Sequence, residues 1–198
     1  RSEQALARAA CEPIAERAAP RVLIGGLGMG YTLRAALDLL PVGAAVTVAE
    51  LEEVVVRWCR GPLAILTGSA VGDPRVAVEI ADVAASIAQA AGGQRPRFDA
   101  IALDLFEGPR GTPREATHAL YGRQALERAH RALTPRGVFA VWSEAAAPGF
   151  EKRLALAGFH ATHRRAGRGG RRHSIYVASP APRATSSTRG RNENGSRP

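Results

Sequence analysis

Lysine is almost missing from this sequence of 198 residues: Lys152 stands alone, and arginine carries nearly all of a formal net charge of +9. A chain this basic invites nucleic-acid binding. Two features argue against it. The arginine travels with abundant alanine, glycine and proline, the coding bias of a GC-rich genome, and part of the charge sits near the C-terminus. No aromatic-interleaved basic strand and no recognition-helix motif accompanies it. Cysteine is also scarce. Cys11 and Cys59 fall on different predicted helices without metal spacing and read as reduced thiols, so we expect a cytoplasmic protein with no metal. No apolar run is long enough to cross a bilayer and no signal-peptide pattern opens the chain, so no membrane partner is expected. Arg1 stands first rather than Met, and we expect sequence upstream of it.

What is present is organised around Val22-Leu-Ile-Gly-Gly-Leu-Gly-Met-Gly30. Apolar residues run into Gly26, Gly28 and Gly30, and Tyr31 to Leu40 follows with leucines at helical spacing. The pattern predicts a buried strand, a tight turn and a helix whose N-terminus offers unpaired N–H groups to a ligand. The next β-prone run, Ala44 to Ala49, ends at Glu50, twenty residues beyond Gly30. In doubly wound folds an acid at that spacing accepts the ribose hydroxyls of a nucleoside. The competing reading of Glu50 is a solvated carboxylate capping the following helix.

Taken in order, Ser2 to Ala18 has helical composition with Ser2 as N-cap, and Pro20 ends it. Strand one starts at Arg21, helices follow over Tyr31–Leu40 and Glu52–Cys59, and Leu63–Leu66 makes a further helical turn. Arg75–Ile80 alternates as strand three and leads into Asp82, then a helix over Ala84–Ala91. Phe98–Asp104 is strand four, Ala116–Leu133 a long helix, and Val138–Trp142 strand five. A helix over Phe150–Ala157, a strand from Gly158-Phe159, a turn at Gly167–Gly170 and a strand over Ser174–Ala178 close the domain. We expect residues 1–20 to form an N-terminal helix left from a longer N-terminus. Residues 21–178 form the domain, and 179–198 a disordered tail rich in Pro, Ser, Arg and Gly.

Strands alternating with helices predict an α/β, doubly wound, Rossmann-like fold with a mainly parallel sheet and a C-terminal antiparallel hairpin. Ligands bind such sheets at the carboxyl ends of the strands. Gly26, Glu50, Asp82 and Asp104 end strands one to four, so four separate segments are predicted to meet on one rim.

With those residues in hand, the chain resembles the class I AdoMet-dependent methyltransferase fold, with its seven-stranded sheet. Within that fold it is most similar to the polyamine aminopropyltransferases, the spermidine synthase family. The resemblance rests on Val22–Arg34, Val48-Ala-Glu-Leu-Glu52, Asp73-Pro-Arg-Val76, Phe98–Asp104, Leu120-Tyr121 and Leu133–Phe139. It implies that Gly26, Gly28 and Gly30 pass under the donor, decarboxylated AdoMet or AdoMet itself. It further implies that Glu50 holds the ribose diol and Asp82 the adenine amino group. Asp104 falls at the place of the catalytic aspartate, its alternative being a loop cap. Glu107 stands at the position of a second acid that grips a small amine substrate, and Tyr121 is a candidate to shape the acceptor side. The implied reaction is aminopropyl transfer to an amine such as putrescine.

Three departures from the family pattern stand out. Met29 occupies the position of the turn aspartate that binds the donor's aminopropyl nitrogen. Glu107-Gly-Pro-Arg-Gly111 replaces Asp-Pro-x-Gly-Pro, and the family's small N-terminal β-domain has no counterpart in the sequence. Methyl transfer from AdoMet to a small nucleophile is the second reading. A non-catalytic nucleoside- or nucleic-acid-binding protein is the third. Trp142 is read equally as pocket wall or core. His160 and His163 fall on opposite strand faces, the wrong placement for joint metal ligation. A homodimer is left open.

Overall fold

The structure, a computed structural model, describes residues 2–106, 108–109, 118–167 and 173–181. Its centre is a seven-stranded sheet in the order β3-β2-β1-β4-β5-β7-β6. The strands are β1 (Arg21–Gly25), β2 (Ala45–Glu50), β3 (Val76–Ile80), β4 (Phe98–Leu103), β5 (Leu133–Ser143), β6 (Phe159–Ala166) and β7 (His173–Pro180). The first five pair in parallel, and β7 runs antiparallel between β5 and β6.

The period-two alternation of each strand divides the core between the two sheet faces. Val22, Ile24, Ala100, Ala102, Val138 and Ala140 face one side, where α1 (Ser2–Cys11), α2 (Tyr31–Leu39) and α3 (Glu53–Arg60) cover them. Leu23, Ile101, Leu103, Phe139 and Val141 face the other, under α4 (Val83–Ala91), α5 (Arg123–Ala132) and α6 (Phe150–Leu156). Leu6, Ala7, Ala10 and Ile14 are wholly buried, so the N-terminal helix is a full member of the first layer. No helix among the described residues is long and apolar enough to cross a membrane.

The structure differs from the sequence expectation by more than one residue at four element boundaries. One of them is the last strand, where β7 runs on through Ser179 and Pro180, assigned to the tail above, because they pair with His160 and Phe159. The first helix stops at Cys11 rather than Ala18, and a 3-10 turn over Glu12–Ile14 replaces its last part. Pro13 supplies the reason, since it lacks an N–H and disfavours helical geometry in the residue before it. The long helix begins at Arg123, not Ala116, because Gly122 is its extended N-cap; residues 116 and 117 lie outside the described part. Strand five begins early: Leu133 pairs with Phe98, the register shifts over residues 134–137, and Val138 rejoins opposite Ala100.

The Asp73-Pro-Arg-Val76 stretch serves the frame. The Arg75 guanidinium donates to the Leu37 and Leu40 carbonyls at 3.0 and 2.8 Å, closing the C-terminus of α2. Asp73 grips the same guanidinium from behind at 2.9 and 2.8 Å. This arginine ties α2 to the lead-in of β3.

Candidate active site

Strand order reverses beside β1, where β2 lies on one side and β4 on the other, and the carboxyl ends of those strands form a crevice. Two backbone bonds pin its floor. The Gly26 N–H donates to the Ala49 carbonyl at 2.9 Å, and the Asp104 N–H donates to the Gly25 carbonyl at 2.9 Å. Gly26 has φ +87°, and a Cβ there would stand 2.5 Å from the Asp104 carbonyl oxygen, so both dihedral and space require glycine. Gly28, at φ +50°, has no atom within 4 Å of where its Cβ would be. Its outer surface faces open space into which a ligand can settle. The Cys59 thiol on α3 donates to the Gly28 carbonyl at 3.2 Å and braces the turn from below.

Three strand ends contribute carboxylates. Glu50 accepts the Leu27 N–H at 2.8 Å on one oxygen and the Glu52 N–H at 2.9 Å on the other. It thus fastens the glycine turn to β2. Two bonds leave about half of a carboxylate's lone-pair sites available. Asp82 caps α4 by accepting the Ala84 N–H at 2.8 Å and is otherwise exposed. Asp104 is deeply set and accepts the Thr32 hydroxyl at 2.5 Å. Burial pushes the Asp104 carboxyl above its ordinary value, the Thr32 bond opposes that rise, and the negative charge of Glu3 adds to it.

Gly26, Gly28, Glu50, Asp82 and Asp104 line one cavity of about 290 Å³, with Leu51, Val83 and Leu120 among its apolar walls. Gly30 sits just behind as the left-handed N-cap of α2, φ +82°. A second cavity of about 260 Å³ opens on the other side of Asp104, walled by Glu3, Met29, Tyr31, Phe106 and Trp142. Gly28 and Asp104 belong to both. Glu107 lies outside the described residues. Tyr121 is not on either wall. Its ring is 3% exposed, stacked 5.0 Å from His118 and edge-on to Phe150, and its neighbour Leu120 reaches the cavity instead.

Two side chains of the site escaped the sequence reading. Thr32 is legible in retrospect, because the first turn of a helix after a glycine turn points back at the strand ends. Glu3 is not, since nothing in the sequence of α1 says that its N-terminus reaches this rim. Trp142, left between two readings, stands on the wall of the second cavity with its ring 4.9 Å from that of His173.

This strand order with a glycine turn and acidic strand ends defines a Rossmann-like methyltransferase fold. The chain aligns over 94% of its length with 84% of human methyltransferase-like protein 13 in complex with SAH, at 23% identity and TM-score 0.66. Spermidine synthase from Thermotoga maritima aligns over 90% of this chain, at 23% identity and TM-score 0.66. A spermidine synthase in complex with the transition state analogue AdoDATO aligns at 22% identity and TM-score 0.65. This chain spans only 59% and 58% of the length of those two synthases. No curated protein matches it in sequence. Residues 13–155 match the family model of the spermine/spermidine synthase domain, more than half of the chain, and the chain belongs to that family.

Proposed function

We propose that this chain is a spermidine synthase-like transferase that moves an aminopropyl group from decarboxylated AdoMet to a small amine such as putrescine. The observation that supports this most is the setting of Asp104, half-buried where a cavity edged by Glu50 and Asp82 meets one edged by Glu3 and Trp142. The residues fit such a donor. Open space above Gly28 admits its backbone-hugging portion, Glu50 has lone pairs for a ribose diol, and Asp82 has one oxygen for the adenine amino group. When bound, the donor supplies a carbon next to a sulfonium; an amine lone pair forms the new C–N bond there while the C–S pair stays with sulfur.

Asp104 takes the proton that the acceptor nitrogen must shed, becoming a neutral carboxyl. Its upward-shifted pKa makes it a stronger base than an exposed carboxylate, while Thr32 keeps the carboxyl aimed. The Asp104 carboxylate also attracts a cationic amine. The rest of the work is alignment, for which a rigid turn between two pinned strands is suited.

Met29 favours a second reading, methyl transfer from AdoMet. It lines the acceptor-side cavity with a half-exposed thioether where the family resemblance calls for an aspartate on the donor's ammonium. The deciding experiment is calorimetry with AdoMet, decarboxylated AdoMet and methylthioadenosine, alongside detection of methylthioadenosine released in the presence of putrescine. Release from decarboxylated AdoMet supports aminopropyl transfer. Tighter binding of AdoMet, with a methylated product, would sink it.

A further inference from the structure

The acceptor-side cavity is walled by more ring than carboxylate. Beside Asp104 it is bordered by Tyr31, Phe106 and Trp142, with the Met29 thioether between the turn and the rim. The other acid on its wall, Glu3, accepts the Ser2 hydroxyl at 3.1 Å. Each ring is set in place by the chain around it. The left-handed Gly30 cap reverses the backbone so that Tyr31 opens α2 at the rim. Trp142 stands near the end of β5 and packs against His173, with ring centroids 4.9 Å apart and planes 35° apart, which holds the indole where it borders the cavity. Phe106 comes two residues after Asp104. Tyr31 is 38% and Phe106 91% exposed, so much of both rings stays open to whatever enters. Among the described residues, arginines lie over the rings of Phe98 and Phe150 and over none of these three.

We propose that Tyr31 and Trp142 are specificity-determining residues for the acceptor's second nitrogen. They hold the non-reacting ammonium of a diamine against their π faces while the reacting nitrogen lies beside Asp104. This rests on the aminopropyl-transfer reading above. The face of an aromatic ring carries partial negative charge and attracts an ammonium, more strongly where water is thinned out. A ring also does this without a formal charge of its own. A second carboxylate in so small a space would raise the Asp104 carboxyl further, as like charges do, and leave less of it ionised to take a proton. The size of the cavity agrees with a short acceptor. At about 260 Å³ it lies just under the range of about 300–1,000 Å³ usual for small-ligand sites, so both ends of the molecule stay inside it. A monoamine of equal length puts a methyl group where the second ammonium would lie, and gains contact with the rings but no charge attraction. The rings therefore sort acceptors by the charge at their far end.

The test uses the full chain saturated with methylthioadenosine. It compares 1,4-diaminobutane with pentylamine, which has the same count of heavy atoms and a methyl in place of the second ammonium. Calorimetry should show the diamine binding about 5- to 30-fold more tightly. Trp142→Leu keeps apolar bulk but removes the π face, and should bring the two amines within about twofold of each other. Trp142→Phe should restore most of the preference, and Tyr31→Leu should reduce it part of the way. Methylthioadenosine affinity in the same variants reports that the fold is intact, because neither residue lines the nucleoside-side cavity. Pentylamine binding as tightly as the diamine in the native chain would overturn the proposal, as would a preference that survives Trp142→Leu and Tyr31→Leu combined. So would a preference lost in Glu3→Gln or Glu107→Gln but kept in Trp142→Leu, because a carboxylate then holds the second ammonium. If methylthioadenosine does not bind at all, the transferase reading fails. The same two amines titrated without it, native chain against Trp142→Leu, then decide the role of the rings alone.

Discussion

The two rims of the sheet treat their acids in opposite ways. Toward the amino ends of the strands, carboxylates are matched by arginine: Asp99 with Arg17, and Asp73 with Arg75. Asp99 also takes the Arg21 N–H at 2.8 Å and the Thr134 hydroxyl at 3.0 Å. At the carboxyl-end rim, Glu50, Asp82 and Asp104 accept only backbone N–H groups and one hydroxyl, and among the described residues no arginine or lysine pairs with them. The electrostatic consequence is sharpest between Asp73 and Asp104. Arg75 holds the Asp73 carboxyl down at about 2, while burial lifts Asp104. An acid neutralised by a cation has finished its work in the native fold. One set beside cavities whose described walls hold no arginine or lysine keeps its charge available for a ligand.

The largest effect is expected at Asp104. Asp104→Asn should lower kcat by about 10²–10⁴-fold, measured as methylthioadenosine release, because the proposed base is gone while the shape is kept. Stability should move the other way. The folded pKa lies above the unfolded value, so the stability this group contributes is complete below about 3.8 and is lost as pH rises through the folded value. Above that window the native protein carries a desolvated carboxylate, and Asp104→Asn should melt at a higher temperature there. The gap should close as pH falls toward 4. A variant that melts lower at pH 7 would show that the two acids are both structural, and the contrast between rims would collapse.

The turn offers the next test. Gly26→Ala should cost about 2–4 kcal/mol in denaturant unfolding, since it combines a left-handed dihedral with a Cβ driven onto the Asp104 carbonyl. Gly28→Ala meets no atom and should cost less, about 1 kcal/mol, yet weaken methylthioadenosine by placing a methyl where the ligand settles. Equal stability losses at the two positions would mean that Gly28 is also structural. Glu50→Gln should weaken methylthioadenosine about 10- to 100-fold in calorimetry, the worth of a charge-assisted bond, with little loss of melting temperature because the amide oxygen still accepts one N–H.

How much of this could be read from the chain follows the same division. The glycine turn, Glu50, Asp82 and Asp104 were legible because each sits at the end of a strand with a strong apolar signature, and parallel topology brings strand ends together. Period-two alternation also made the two-faced core readable. Tyr121 misled because an aromatic after a loop carries no sign of which way it turns; packing against His118 and Phe150 drew it inward. Glu3 was hidden because its place depends on how α1 docks on α2 and β5, a tertiary fact with no local marker. Pro13 could have shortened the first helix, but the alanine-rich composition on either side outweighed it. Asp73-Pro-Arg-Val76 was read as a mark of kinship, and the structure shows its physical role: a guanidinium closing a helix end.

That clamp supplies the smallest effect and the opposite pH signature. Asp73→Asn removes the charge behind Arg75 but leaves the arginine on the α2 carbonyls, so the loss should be about 1 kcal/mol after solvent screening. Because the folded pKa is depressed, the contribution is present above the unfolded value of 3.8 and disappears as pH falls toward about 2. Native and Asp73→Asn proteins should therefore converge in stability below that window, whereas native and Asp104→Asn proteins converge on approaching it from neutrality. Methylthioadenosine affinity should be unchanged in Asp73→Asn, since Arg75 acts on the far end of α2 from Thr32. A loss of ligand binding in this variant would mean that the clamp sets the pitch of the whole helix, and that the two rims are mechanically one.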